Sequence, residues 1–70
     1  MQRGRITEFL FNNDDYFVAR TDMPGVRIGM VGGICFDIPT GHAYHDRVRE
    51  IENAADAEEM FDELYAALIA

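Results

Sequence analysis

An alternation of apolar and small or polar residues in the middle of the chain constrains its fold more than any other feature. Within residues 26–38 the apolar side chains fall on even positions, and Gly32 is the only even position without one. Successive side chains of a β-strand point to opposite faces, so a period of two predicts strand with one buried face. The apolar set is Val26, Ile28, Met30, Ile34, Phe36 and Ile38.

The dipeptide Gly32-Gly33 in this stretch allows two interpretations. One is a single strand over 26–38 that bends or bulges at the glycines. The other is a tight hairpin with a two-residue turn at Gly32-Gly33. That hairpin would set Ile28 opposite Asp37 and would mix polar and apolar side chains on both faces. Because the continuous strand keeps the alternation intact, we predict one bent strand.

Two earlier strands are predicted over 5–12 and 16–22. The cluster Asn12-Asn13-Asp14-Asp15 between them is typical of a turn, because Asn and Asp side chains form local turns with the backbone. A second turn is predicted at Met23-Pro24-Gly25-Val26, where proline supplies φ near −65° and glycine permits a positive φ, as a type II turn requires. Three consecutive strands joined in this way form an antiparallel meander.

Alternation in the first strand predicts that both faces of the sheet carry apolar groups. Strict period two places Phe9 and Phe11 on one face, and Ile6 and Leu10 on the other. A single helix can cover only one of these faces. The spare face would then be available for association with another chain.

The stretch 44–53 is ambiguous between helix and strand. Tyr44, Val48 and Ile51 are spaced as on one helix face, whereas an edge strand over 47–52 would add a fourth strand to the meander. A strand would put Val48 and Ile51 on opposite faces. No helix stop signal precedes Asn53, however, and we predict the strand.

The last element is predicted to be an amphipathic helix over 56–69. Asp56 is a suitable N-cap, and Glu59 follows three residues later as in a capping box. The apolar stripe with helical spacing consists of Ala57, Met60, Phe61, Leu64 and Leu68. The predicted fold of residues 1–70 is therefore one small α+β domain. It is an antiparallel meander of three or four strands with this C-terminal helix packed on one face.

Composition places the chain in a reducing, aqueous compartment. Cys35 is its only cysteine, which excludes an intrachain disulfide, and its apolar neighbours favour a packed thiol over a reactive one. The longest apolar stretch, 28–36, is far shorter than the roughly 20 residues of a membrane-spanning helix. We expect a cytoplasmic protein.

Residues able to carry chemistry are few. His42 and His45 are three apart and could share a metal ion, but zinc needs three or four protein ligands and no further residue has a recognised spacing. Asp14-Asp15 and Glu58-Glu59 are paired carboxylates in positions where we expect solvation. We therefore predict no catalytic residues, no metal, no cofactor and no enzymatic activity.

The net charge of −7 lies entirely within residues 50–70. Residues 1–49 contain six acids and six arginines, whereas residues 50–70 contain seven acids and no base. A surface of one sign repels nucleic acid and anionic lipid and attracts basic surfaces. The helix dipole accounts for the acids of the first turn, Asp56, Glu58 and Glu59, but not for Asp62, Glu63, Glu50 or Glu52. The predicted partner-binding residues are Glu50, Glu52, Glu58, Glu59, Asp62 and Glu63.

These features predict a non-enzymatic module that binds a protein with a basic surface. Carboxylates on successive helix turns lie about 5–6 Å apart, near the spacing of phosphates along a nucleic-acid strand. Such a helix suits the blocking of a nucleic-acid-binding groove. In size, acidity and lack of catalytic residues the chain is similar to small virus-encoded inhibitors of bacterial defence, such as anti-CRISPR proteins. That resemblance covers no motif; it implies a nucleic-acid-handling partner complex in the host-cell cytoplasm.

A second hypothesis from the sequence is a small homodimeric structural or accessory protein. Its copies would associate through an edge strand or through the spare sheet face.

Overall fold

A computed structural model describes residues 4–69 as an antiparallel sheet followed by two helices. The strands run β1-β2-β3-β4 in sheet order, each antiparallel to its neighbours, and α2 packs against the sheet. This architecture confirms the predicted α+β meander with a C-terminal helix. The elements are β1 Ile6–Asn12, β2 Tyr16–Thr21, β3 Val26–Met30, β4 Cys35–Ile38, α1 His45–Arg49 and α2 Ala54–Leu68.

The prediction of one continuous strand over 26–38 is wrong, because the chain reverses between Met30 and Ile34. The Met30 amide donates to the Ile34 carbonyl at 3.0 Å, and the Gly33 amide donates to the Met30 carbonyl at 3.0 Å. Gly32 has φ = 76°, which fits the third position of a type II turn. Three residues, 31–33, therefore form the loop of a β3–β4 hairpin.

The length of this loop explains why the alternation was misleading. A two-residue turn would have paired even positions with odd ones, whereas the three-residue loop pairs Ile28 with Phe36 and Arg27 with Asp37. A shift of one residue in register exchanges the two faces of a strand. The observed register therefore keeps every apolar even position on one face, as the single long strand would have done.

Two register shifts in β1 overturn the predicted assignment of its side chains to faces. Ile6 pairs with Thr21 and Phe9 pairs with Ala19, while Phe11 pairs with Val18. Ile6 and Phe9 therefore share the face away from α2. Phe11 and Leu10 instead pack against the core under α2. Strict period two fails here because each bulge inserts an unpaired residue.

The predicted edge strand over 47–52 is wrong, and the short helix α1 occupies part of this stretch. Val48 is fully buried and Ile51 is 5% exposed. Residues three apart lie on the same side of a helix but on opposite faces of a strand. Only the helical path therefore buries both side chains.

Helix α2 begins two residues earlier than predicted, because Asn53 and not Asp56 is the N-cap. The Asp56 amide donates to Asn53 Oδ1 at 2.8 Å, and Asn53 Nδ2 donates to Asp56 Oδ2 at 3.0 Å. Asp56 is thus the third residue of α2, and its carboxylate accepts from the Asn53 side chain and not from the N-cap backbone amide, as a capping box would require. Ala57, Met60, Phe61 and Leu64 are buried as predicted. Leu68, the last residue of the predicted stripe, is exposed.

Aromatic contacts join α2 to the sheet at the end that carries the β3–β4 hairpin. The Phe61 ring lies 5.5 Å from the Tyr16 ring and 5.4 Å from the Phe36 ring, centroid to centroid. The rest of the core consists of aliphatic side chains from β2, β3, β4 and both helices. Neither helix found in residues 4–69 combines the length and apolar character needed to cross a membrane.

The β3–β4 turn yields a test that distinguishes it from a continuous strand. A Cβ at residue 32 meets no atom within 4 Å, so only the backbone conformation opposes a side chain there. We expect Gly32→Val to lower the free energy of unfolding by about 1–2 kcal/mol, because a β-branched residue resists positive φ. Gly32→Asn is the control and should cost less, since Asn tolerates that region. Chemical denaturation measures both; a stabilising valine would indicate extended strand.

Candidate functional site

The four predicted partner-binding acids that belong to α2 are divided between two sides of its buried stripe. Glu58 and Asp62 lie on the side that faces β2, and Glu59 and Glu63 lie toward α1. The split follows from helix geometry, since steps of three or four residues return to the same side. The structure therefore does not gather the acids into one cluster.

Glu50 and Glu52 belong to the segment that links α1 to α2, and both are exposed. Glu50 is also the C-cap residue of α1. Glu52 lies between buried Ile51 and the helix cap Asn53. Only Glu50 of these two joins the acids on the α1 side, because it lines the same groove as Glu59.

Glu63 is engaged within the molecule by Arg47 of α1. Arg47 Nη1 donates to Glu63 Oε1 at 3.0 Å, and Nη2 donates to Oε2 at 2.8 Å. These hydrogen bonds, followed by the charge of Arg47, hold the pKa of Glu63 below its ordinary value. The Arg47 guanidinium also lies 5.4 Å from the centre of the Tyr44 ring. Glu63 thus joins α2 to α1 through its ion pair with Arg47. The sequence gives no sign of this pair because the two residues are far apart in the chain.

A groove of about 310 Å³ separates α1 and α2 beside this ion pair. Glu50, Asp56 and Glu59 supply carboxylates to its walls, and Arg47 supplies the one guanidinium among its described lining residues. Ile51 and Met60 also line the groove. The groove is therefore acidic, with an apolar component from the two core side chains.

On the other side of α2, the charges of three acids act on the Tyr16 hydroxyl. Desolvation is the largest cause that raises the pKa of Tyr16, and the charges of Glu58, Asp62 and Asp15 raise it further. Asp15 comes from the β1–β2 turn, where the Asn13 side chain accepts hydrogen bonds from the amides of Asp15 and Tyr16. From the sequence, Asp15 is expected to be a turn residue and a solvated carboxylate beside Asp14, with no sign that it lies near α2. Its proximity to α2 depends on tertiary packing.

Three acids of α2 have no close basic partner within residues 4–69, unlike Glu63: they are Glu58, Glu59 and Asp62. Within residues 4–69, no ion pair joins any of these three side chains to an arginine or histidine. All three are exposed. Their charges therefore face solvent without an ion-paired base in the described part of the chain.

The two histidines are held by local contacts. His42 Nδ1 accepts a hydrogen bond from the Tyr44 amide at 3.1 Å, and His45 Nδ1 lies 3.2 Å from Asp46 Oδ1. A search of the described residues finds no group of three or more His, Cys, Asp or Glu side chains that could hold a metal ion. Cys35 is half-buried in β4, opposite Gly29.

No protein family, no curated protein and no solved structure matches this chain. Function therefore has to be inferred from the charge and shape of the molecule itself. The clearest features for that inference are the outward acids of α2 and the helix pair that holds them in place.

The Arg47–Glu63 pair predicts a specific pH dependence of stability. The pKa of Glu63 is lower in the folded chain than its ordinary value of 4.5, so the pair stabilises the fold above about pH 4.5 and its contribution disappears as pH falls through the folded pKa. Glu63→Gln should therefore be less stable than wild type at pH 7, and the difference should vanish in acid. Urea denaturation between pH 7 and pH 3 measures it.

Glu59→Gln is the matched control, because Glu59 forms no ion pair within residues 4–69. At pH 7 it should cost less stability than Glu63→Gln, because Glu63 and not Glu59 is hydrogen-bonded to Arg47. A loss of stability at pH 7 as large for Glu59→Gln as for Glu63→Gln would contradict the structural role assigned to Glu63.

Proposed function

We propose that the protein is a non-enzymatic binding module whose acidic outer surface on α2 binds a basic surface of a partner protein. The observation that carries this proposal is the exposure of Glu58, Glu59 and Asp62 on consecutive turns of one helix, without a close base in the described chain. α2 carries five acids and no base, and Glu50 and Glu52 precede it, so residues 50–70 have a strong field of one sign.

The rigidity of α2 supports recognition of a surface that normally holds nucleic acid. The helix has 15 residues, and its inner side is fixed by the Phe61 contacts with Tyr16 and Phe36. The backbone that carries the acids is thus fixed before binding, and the Cβ atoms of residues three or four apart on it lie about 5–6 Å from each other, a spacing that approaches that of phosphates. We propose that the partner's arginines and lysines contact these carboxylates in place of a nucleic-acid backbone, so that binding inhibits the partner.

The acids contribute to this surface in different ways. Glu58, Glu59 and Asp62 are proposed to contact the partner directly, and Asp15 extends the surface on the β2 side. Glu50 and Glu52 add to the field at the N-terminal end of α2. Glu63 is assigned a positioning role because Arg47 already binds both of its carboxylate oxygens. The inhibitor class is also consistent with the similarity in profile to anti-CRISPR proteins.

A charge-matched pair of variants tests the proposal. The first variant carries Glu58→Gln, Glu59→Gln and Asp62→Asn. The second removes the same amount of charge from the sheet and its turns through Glu8→Gln, Asp14→Asn and Asp22→Asn. We expect the first variant to remain folded and to lose most of its partner binding, and the second to bind nearly as wild type does.

Binding is measured by affinity capture from nuclease-treated bacterial lysate at low and moderate salt. A captured protein supports the proposal if it binds nucleic acid, is displaced from that nucleic acid by wild type, and is retained poorly by the α2 variant. Retention should weaken as salt rises, because exposed charges are screened. Equal retention of the captured protein by wild type and by the α2 variant would contradict the proposed interface.

A second candidate function is a homodimeric accessory protein that associates through the sheet face opposite α2. One observation favours it: Phe9 is 53% exposed on that face, and its ring lies 6.1 Å from that of Phe17 in an edge-on arrangement. Neither helix covers these rings, since both helices pack on the other side of the sheet. Two copies joined there would also keep their acidic helices apart.

Sedimentation velocity over a range of concentrations tests this candidate. If the second copy covers Phe9, wild type should show a concentration-dependent dimer, and Phe9→Ser should shift the protein to monomer without loss of the folded signal. Met23→Ser, which changes an equally exposed residue elsewhere, is the control. A monomer at all concentrations would rule out the homodimer.

A further inference from the structure

The side chain of His42 holds the segment that precedes α1 through a hydrogen bond to the backbone. His42 Nδ1 accepts from the Tyr44 amide at 3.1 Å, so the neutral ring carries its hydrogen at Nε2. Main-chain bonds fix the same segment: the His42 amide donates to the Pro39 carbonyl, and the His45 amide donates to the His42 carbonyl, each at 3.0 Å. The His42 side chain therefore takes part in the turns that lead the chain from β4 into α1.

Tyr44 connects this segment to both helices. It is the N-cap residue of α1, and its carbonyl accepts from the Val48 amide at 2.9 Å. Its ring packs against the core, and the Arg47 guanidinium lies 5.4 Å from the ring centre. Hydrogen bonds from Arg47, and after them one from the Tyr44 hydroxyl, hold the pKa of Glu63 in α2 below its ordinary value. The position of Tyr44 is therefore coupled to the Arg47–Glu63 pair that joins α1 to α2.

Protonation of the His42 ring is incompatible with its bond to the Tyr44 amide. An imidazolium carries a hydrogen on both ring nitrogens and has no acceptor, so the Nδ1–H group and the amide would point at each other. His42 is exposed, and a proton therefore reaches its ring from solvent while the chain is folded. The bond is present while the ring is neutral and is lost when the ring is charged.

Charged groups of both helices surround this contact. The His42 and Tyr44 rings lie 5.7 Å apart, centroid to centroid, so a charged His42 would add a second cation to the ring that Arg47 already contacts. Glu63 of α2 is bound to Arg47 by two hydrogen bonds. His45 differs from His42, because its Nδ1 lies 3.2 Å from a carboxylate oxygen of Asp46. Protonation therefore breaks a contact of His42, whereas it strengthens one of His45.

We propose that His42 is a pH-sensitive switch that holds Tyr44 at the start of α1 while its ring is neutral and releases Tyr44 when the ring is protonated. Imidazole side chains in general take up a proton near about pH 6.5. Glu63 remains charged at that pH, because its pKa lies below its ordinary value of 4.5. The switch is therefore separate from the acid response of the Arg47–Glu63 pair, and it does not rest on the function proposed for α2.

An NMR titration of the ¹⁵N-labelled protein from about pH 7.5 to about pH 5 tests the switch with two variants of His42. His42→Asn keeps an acceptor that does not titrate, because Asn Oδ1 can bond the amide two residues further on. His42→Ala has no acceptor at any pH. The temperature dependence of the Tyr44 amide shift reports whether that amide is hydrogen-bonded.

We expect wild type to keep the Tyr44 hydrogen bond at the upper pH and to lose it in acid. His42→Asn should keep the bond throughout, and His42→Ala should lack it throughout. A bond that persists in acid in wild type, a bond lost in acid in His42→Asn, or a bonded Tyr44 amide in His42→Ala would each overturn the proposal. The second of these outcomes would assign the pH response to His45.

Urea denaturation at the same two pH values measures the effect of the switch on the fold. The comparison of wild type with His42→Asn isolates His42, because both proteins contain His45, Asp46 and Glu63. Between the upper and the lower pH, the unfolding equilibrium constant of wild type relative to that of His42→Asn should rise about threefold, as the loss of one hydrogen bond predicts. A ratio that stays constant or falls in acid would contradict the proposal.

Discussion

The contact of Phe61 with Tyr16 and Phe36 is the interaction on which the other features of the molecule depend. A chain of this size buries only about 60% of its unfolded surface, so a single helix must seal one face of the sheet. Phe61 does so at the hairpin end, and its ring sets the rotation of α2 about its own axis. That rotation decides which side chains face solvent. The outward direction of Glu58 and Glu59 thus follows from the packing of an aromatic residue beside them.

Packing also divides the acids of α2 into groups with different tasks. On the α1 side, Arg47 is available, and it uses the planar geometry of its guanidinium to bind Glu63 with two hydrogen bonds. On the β2 side the charges of Glu58, Asp62 and Asp15 all act on the Tyr16 hydroxyl, so the fold adds Asp15 to the negative charge there. The net charge of the helix does not distinguish its two sides. In the tertiary structure Arg47 binds Glu63 on one side, whereas Glu58 and Asp62 on the other side form no ion pair within residues 4–69.

Sequence patterns correctly predicted the elements that depend on the type and spacing of neighbouring residues. The turns at Asn13 and Gly25 and the buried stripe of α2 all follow from residue type and spacing. The β3–β4 hairpin was missed because a three-residue loop preserves the parity of the alternation, so a long strand and this hairpin have the same pattern. α1 was missed because its five residues span fewer than two helical turns, too short a pattern to decide against a strand. Long-range pairs, Arg47 with Glu63 above all, carry no local signal.

The bulged path of β1 has a consequence for how many copies of this chain can join edge to edge. β1 and β4 are the two outer strands of the described sheet, but β1 carries two register shifts that break its row of hydrogen-bonding groups. Irregular edges of this kind resist the addition of a further strand. Growth into a fibre requires two usable edges per molecule, one to accept and one to extend. With only the β4 edge regular, edge-to-edge strand addition between copies would end at a pair and would not continue into an open-ended polymer.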